Sequence, residues 1–212
     1  MLREQFRSPE QQRETASIGM WVFLITEMML FGGLFMAFTV YRSLFPIPFM
    51  QGSADMSIVL GGTNTIVLIC SSLTMALSVY SAATGDRRML AIFLIATMFL
   101  GFVFLGIKFT EYYLHYQDHR VPGIWFNWPG TAAPHVEMFF VFYFIMTGLH
   151  ALHMFVGEGL LFTMLLRTGV GTFSSKYHTP IEIVGLYWHF VDIVWVFLFA
   201  IFYIEGLHLH RG

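Results

Sequence analysis

Five apolar stretches limit what this chain can fold into more than any other feature. They run at about 18–41, 58–82, 89–114, 137–167 and 182–205, each near or above the roughly 20 residues that a helix needs to cross about 30 Å of hydrocarbon. The breaks between them are Pro46-Ile47-Pro48 with Gln51-Gly52-Ser53, then Gly85-Asp86-Arg87-Arg88, a polar loop from His115 to Pro134, and Gly169 to Pro180. Clusters of Pro, Gly and polar residues of this kind punctuate helices. None is long enough to hold a soluble domain. The expected architecture is therefore all-α: a polytopic membrane protein of five transmembrane helices spanning 18–205, with a polar N-terminal tail at 1–17 and a short C-terminal tail at 206–212. With 57% hydrophobic and 11% charged residues, lipid is the main solvent of such a chain.

Charge placement orients the helices. Setting Lys108 aside as intramembrane, seven Lys and Arg fall on the side of the N-terminus (Arg3, Arg7, Arg13, Arg87, Arg88, Arg167, Lys176) and three on the other (Arg42, Arg120, Arg211). The positive-inside rule then predicts a cytoplasmic N-terminus and an outer C-terminus. The first seventeen residues alternate Arg and Glu and lack an apolar signal region, so they read as an uncleaved tail on the membrane surface. A net charge of −2 without a run of like charges gives no reason to expect nucleic acid as a partner. The lone Cys70 leaves no internal disulfide and no metal cluster of cysteines.

Ionisable residues at mid-depth mark the candidate site. A carboxylate inside the hydrocarbon is costly unless partnered. Glu27 and Asp192 each lie about nine residues into a helix that starts on the cytoplasmic side, so both come near the midplane. His150 and His153 share a face of the fourth segment by their i, i+3 spacing, and His189 stands one turn from Asp192 and is its expected partner. The reading is that Glu27, His150, His153, His189 and Asp192 converge in an intramembrane polar network. Three roles stay open for it: a structural hydrogen-bonded network, proton or lipid handling, and ligation of a metal or b-type haem. Glu158, Glu182 and Trp188 join Glu27 as candidates for lipid-related or proton-related roles. Lys108 and Glu111, one turn apart near the outer interface, are expected to form a structural ion pair.

Packing signals accompany these residues. Asn64, Ser71 and Ser78 recur every seven residues with Gly61 on nearly the same stripe, which suits close helix packing. Gly32-Gly33 and Gly157-Glu158-Gly159 offer similar close approaches. Trp125-Phe126-Asn127-Trp128-Pro129 in the outer loop reads as an interfacial anchor, and that loop is the most open place for a partner contact by its length.

Four motifs carry a family resemblance: Leu24-Ile25-Thr26-Glu27-Met28-Met29-Leu30-Phe31-Gly32-Gly33, Asn64-Thr65 with Ser71-Ser72, Thr147-Gly148-Leu149-His150-Ala151-Leu152-His153, and Tyr187-Trp188-His189-Phe190-Val191-Asp192. In order, spacing and host helix they resemble the signatures of subunit III of haem–copper terminal oxidases, in the five-helix bacterial form that lacks two further N-terminal helices. The resemblance implies an accessory subunit without a redox centre or metal site of its own, in the cytoplasmic membrane of a bacterium. Haem and copper would belong to partner chains, with subunit I the main contact and subunit II and other subunits nearby. Phospholipid binding, oxygen access and proton uptake are the functions it implies. A cytochrome c oxidase is the first reading; a quinol oxidase or a nitric oxide reductase-associated subunit is the alternative. A stand-alone transporter or small b-type cytochrome is a distant one, since a transporter would more typically show internal repeats and broken helices, and no proline falls inside the five segments.

Overall fold

A computed structural model describes residues 8–174 and 177–206. The described chain is helical without strands: α1 (Pro9–Leu44), α2 (Pro46–Ala54), α3 (Ile58–Thr84), α4 (Arg87–Gln117), α5 (Ala133–Gly169) and α6 (Thr179–Phe199), the last continued by a π-helical turn at Ala200–Ile204. Five of these helices are long and apolar enough to cross a membrane.

Local chemistry sets the boundaries. Ser8 caps α1 by accepting from Gln11 N at 3.1 Å, with Pro9 in the first turn, where its missing N–H costs nothing. Helix α3 stops at Gly85, whose φ of +81° is a left-handed conformation that glycine adopts without strain. Asp86 then starts α4 by accepting from the N–H groups of Arg88 and Met89, both at 3.1 Å. Two residues thus reverse the chain, so α3 and α4 pack along their length. Asp86→Ala removes that cap and is expected to cost about 1 kcal/mol, a few degrees in the thermal midpoint in detergent; an unchanged midpoint would mean that helix packing alone holds the turn.

Two boundaries differ from the sequence reading. The segment around Pro46, Pro48 and Gln51-Gly52-Ser53 is the short helix α2 rather than an open break, because Pro46 sits in a first turn where proline is favoured. Residues 9–17 continue α1 without interruption, instead of forming a separate tail along the surface. At 1.5 Å per residue the 36 residues of α1 reach about 54 Å, so its polar end stands clear of the hydrocarbon. Arg13 there meets Glu182 of α6 at 3.7 Å. Residues 1–7, 175–176 and 207–212, with the charges Arg3, Arg7, Lys176 and Arg211, lie outside the described residues.

The bundle closes on itself. Helices α3, α4, α5 and α6 form a ring in which each packs on the next and α6 returns to α3; α1 lies over the α5–α6 seam, and α2 rests on α5. The interior is aromatic, with Phe202 meeting Phe38, Phe139 and Tyr143 edge to face, a geometry that aligns the ring quadrupoles. The outward faces carry large apolar side chains such as Met29, Ile66, Leu73 and Phe99. Exposure on this scale suits lipid and not water. Asn64, Ser71 and Ser78 are fully buried, and Gly61 seats the Tyr203 ring. Gly157 gives room to the Trp188 indole, whereas Gly32, Gly33 and Gly159 have no neighbour within 4 Å of a would-be Cβ.

Candidate functional site

The polar residues resolve into separate clusters instead of one network. Towards the end of the bundle that carries the long loop, Lys108 and Glu111 of α4 pair at 2.9 Å, each 2% exposed. Lys108 Nζ also donates to the hydroxyls of Tyr143 on α5 and Tyr203 in the π turn, both at 2.9 Å. Tyr203 in turn donates to the Glu111 carboxylate at 2.8 Å. The ammonium thereby spends all three of its protons, and the rings of Tyr143 and Trp195 lie 4.5 and 5.0 Å from it, close enough for cation–π attraction. The cluster joins α4, α5 and the π-helical turn and is buried inside the bundle.

Glu27 of α1 meets His153 of α5, with 3.0 Å between Oε2 and Nε2. The other ring nitrogen, Nδ1, lies 2.8 Å from the Leu149 carbonyl oxygen. A carbonyl only accepts, so Nδ1 carries a hydrogen and donates. One proton is then left for the Glu27–His153 contact, whichever partner holds it. As imidazolium and carboxylate, or as imidazole and carboxylic acid, the pair is neutral overall, which is how it tolerates a half-buried place in hydrocarbon. Tyr187 of α6 donates to the His153 carbonyl at 2.9 Å and ties the pair to the core.

His189 and Asp192 do not pair. The His189 Nδ1 lies 2.7 Å from the Ser72 hydroxyl of α3, and the same hydroxyl is within reach of the Asp192 carboxyl. One turn of helix separates the two residues along α6, and they meet through Ser72 rather than with each other. His150, expected in the same network, stands between the rings of Phe104 and Trp195 at 5.5 and 5.3 Å, with both nitrogens unpartnered. Glu158 is likewise unpartnered; its carboxyl occupies the space left by the missing side chain of Gly101 and abuts Trp188. Trp188 is fully buried and donates its indole N–H to Ser71 at 2.9 Å. Glu182 lies at the other end of α6, 3.3 Å from His178.

Among the described residues, no group of three or more His, Cys, Asp or Glu side chains is placed to hold a metal. The tyrosines that complete the Lys108 cluster, the serines that receive His189 and Trp188, and Gly101 were not singled out as functional partners from sequence. Lys108 and Tyr203 lie 95 positions apart, and no local pattern links them. Two clasps hold the same end of the bundle: Arg42 bonds Glu205, and Arg120 reaches Asp55 and the Asn127 carbonyl while lying over Trp128. Burial holds the Glu205 carboxyl above its ordinary range, and Arg42 draws it back down. Trp125, at the loop tip, is exposed.

The family model described as cytochrome c oxidase subunit III matches residues 9–207. Among curated relatives, the chain is 32% identical over 187 residues to cytochrome c oxidase subunit 3 of Synechocystis, covering 88% of this chain and 74% of that one. It is 34% identical to a probable cytochrome c oxidase subunit 3 of Nocardia farcinica, covering 88% and 86%. A probable quinol oxidase subunit 3 of Staphylococcus haemolyticus is 29% identical, covering 90% and 89%.

Proposed function

The chain belongs to the cytochrome c oxidase subunit III family, and we propose that it is the accessory, redox-centre-free third subunit of a respiratory cytochrome c oxidase in a bacterial cytoplasmic membrane. As a family member it is a multi-pass component of a multi-subunit oxidase. The observation that carries the finer reading is the Glu27–His153 contact, in which two residues from the family-like motifs of α1 and α5 share one proton within the bundle. A pair that can hold its proton on either partner without changing net charge suits support of proton uptake by a neighbouring catalytic subunit better than chemistry of its own. Subunit I is the main partner in this reading, with subunit II and lipid around it, the N-terminus in the cytoplasm and the C-terminus outside. Haem and copper reside in the partner chains.

Affinity purification of the tagged chain from its native membrane in mild detergent tests this. Haem absorption and oxygen uptake in the eluate are expected, and the reductant that drives uptake separates cytochrome c from quinol as donor. A colourless lone chain would refute the subunit assignment. Glu27→Gln gives a finer test. The glutamine amide can still donate to His153 Nε2, so co-purification is expected to stay at the unsubstituted level while oxygen uptake declines faster during sustained turnover. Equal decay in the two preparations would remove Glu27 from any proton-related role.

A further inference from the structure

The loop run Trp125-Phe126-Asn127-Trp128-Pro129 has no part in the proposed function, and the structure divides it. Phe126 and Trp128 turn inward: their rings lie 5.8 and 6.4 Å from that of Phe140, and the Arg120 guanidinium covers Trp128 at 4.2 Å. Ile124 and Trp125 turn outward and are 97% and 80% exposed. Backbone bonds hold this division in place. Phe126 N donates to Gly123 O at 3.0 Å and Asn127 N to His119 O at 2.9 Å, while Gly123 N donates to the Glu137 carboxylate of α5 at 2.9 Å. The turn passes through Gly123 at a φ of +130°, a conformation that glycine adopts without strain. A loop braced in this way displays its two apolar tips as part of its fold.

Position says what meets these tips. Helix α4 carries an apolar stripe at helical spacing, Ile95, Phe99, Phe102, Phe109, Tyr113 and Tyr116, each more than half exposed. This is the face that the helix turns to hydrocarbon. Tyr116 at its end lines a hollow of about 400 Å³ together with His119, Val121, Pro122, Ile124 and Trp125, so the tips prolong that face without a break. Tyr116 stands twenty-nine residues along α4 from Arg87, about 44 Å at 1.5 Å per residue. With Arg87 among the headgroups of one leaflet, Tyr116 falls among those of the other, because a bilayer with its headgroups is about 40–45 Å thick. Tryptophan and tyrosine favour that level, their rings towards the acyl chains and their N–H or O–H towards the headgroups. No Asp, Glu, Lys or Arg lines the hollow, and Arg120 is taken up by Asp55 and Asn127. The patch therefore lacks the charges by which a soluble protein is steered to its site.

We infer that residues 121–125 form an interfacial foot: Ile124 and Trp125 insert into the lipid surface at the headgroup–acyl boundary beside Tyr116 and hold the long-loop end of α4 at a fixed depth. The test reads tryptophan emission from the protein purified from its native membrane, with whatever accompanies it, and reconstituted in phosphatidylcholine vesicles. Subtracting the emission of the Trp125→Phe variant leaves the signal of Trp125 alone. Lipid brominated near the glycerol end of its acyl chains is expected to quench that signal at least twofold, lipid brominated near the methyl end less, and aqueous iodide little. The same subtraction with Trp128→Phe is expected to show less than half the lipid quenching, since that ring is turned inward. Quenching of Trp125 by iodide and by neither lipid would place it in water and overturn the inference. Quenching by none of the three would place it against protein, a neighbouring subunit or a second copy, and would overturn it as well. Haem content of the same preparation reads the subunit assignment separately, because neither variant touches the Lys108 cluster or the Glu27–His153 contact.

Discussion

Replacing Lys108 with methionine is expected to cost about 3–5 kcal/mol, the usual consequence of removing one partner from a buried ion pair. Lys108 donates to Glu111, Tyr143 and Tyr203, and Glu111 would be left with only the Tyr203 hydroxyl to offset a charge that is 2% exposed. For a chain of about this length, each kcal/mol moves the thermal midpoint by roughly 2–4 °C, so the variant should melt roughly 10 °C lower in detergent. The double variant Lys108→Met/Glu111→Leu removes both charges. Because apolar replacement of a whole buried pair is often neutral, it should recover most of the loss. A double variant as unstable as the single one would show that the lysine stem, and not the uncompensated carboxylate, was the source. The cluster's reach across α4, α5 and the π turn makes this the largest expected effect in the bundle.

Gly101→Ala is expected to destabilise the α4–α5–α6 junction by about 1–3 kcal/mol, the range for overpacking a filled interior. A Cβ at this position would fall 1.9 Å from Glu158 Oε1 and 3.0 Å from the Trp188 ring. The carboxyl has no partner that would hold it once displaced, but Trp188, bonded to Ser71, closes the exit on that side. In the double variant Gly101→Ala/Glu158→Ala the clash with the carboxyl is absent and only the approach to Trp188 remains, so the two substitutions should couple, with the pair less unstable than their sum by about 0.5–3 kcal/mol. Thermal midpoints of the four proteins measure this directly. Strict additivity would show that Gly101 does not make room for Glu158.

The helical spans were legible because lipid imposes a simple rule: a segment without water must satisfy its own backbone, and about 20 apolar residues in a helix do so. Their ends were less legible. Pro46 and Pro48 look like breakers along the chain, but a proline in the first turn of a helix breaks nothing, and α2 forms there. The pairing of Lys108 with Glu111 was readable from i, i+3 spacing, whereas its burial was not, since both tyrosines that enclose it come from other helices. The same limit explains the divided polar network. Glu27, His150, His153, His189 and Asp192 were all identifiable as costly residues, but depth along a helix says nothing about which way a side chain faces. Rotation about the helix axes put His153 towards Glu27, His189 towards Ser72, and Asp192 towards an open groove.

The amino-acid sequence by itself determined that this is an all-α chain with five membrane-crossing helices, and it marked the buried ionisable residues, because apolar length and the cost of charge in hydrocarbon are properties of the residues alone. Only the tertiary structure decided the partners. Hydrogen bonds such as those from Lys108 to Tyr203 and from Trp188 to Ser71 join positions 95 and 117 apart, and they form or fail according to how α3, α4, α5 and α6 turn against one another, which is set by the summed fit of the whole core and by no single motif.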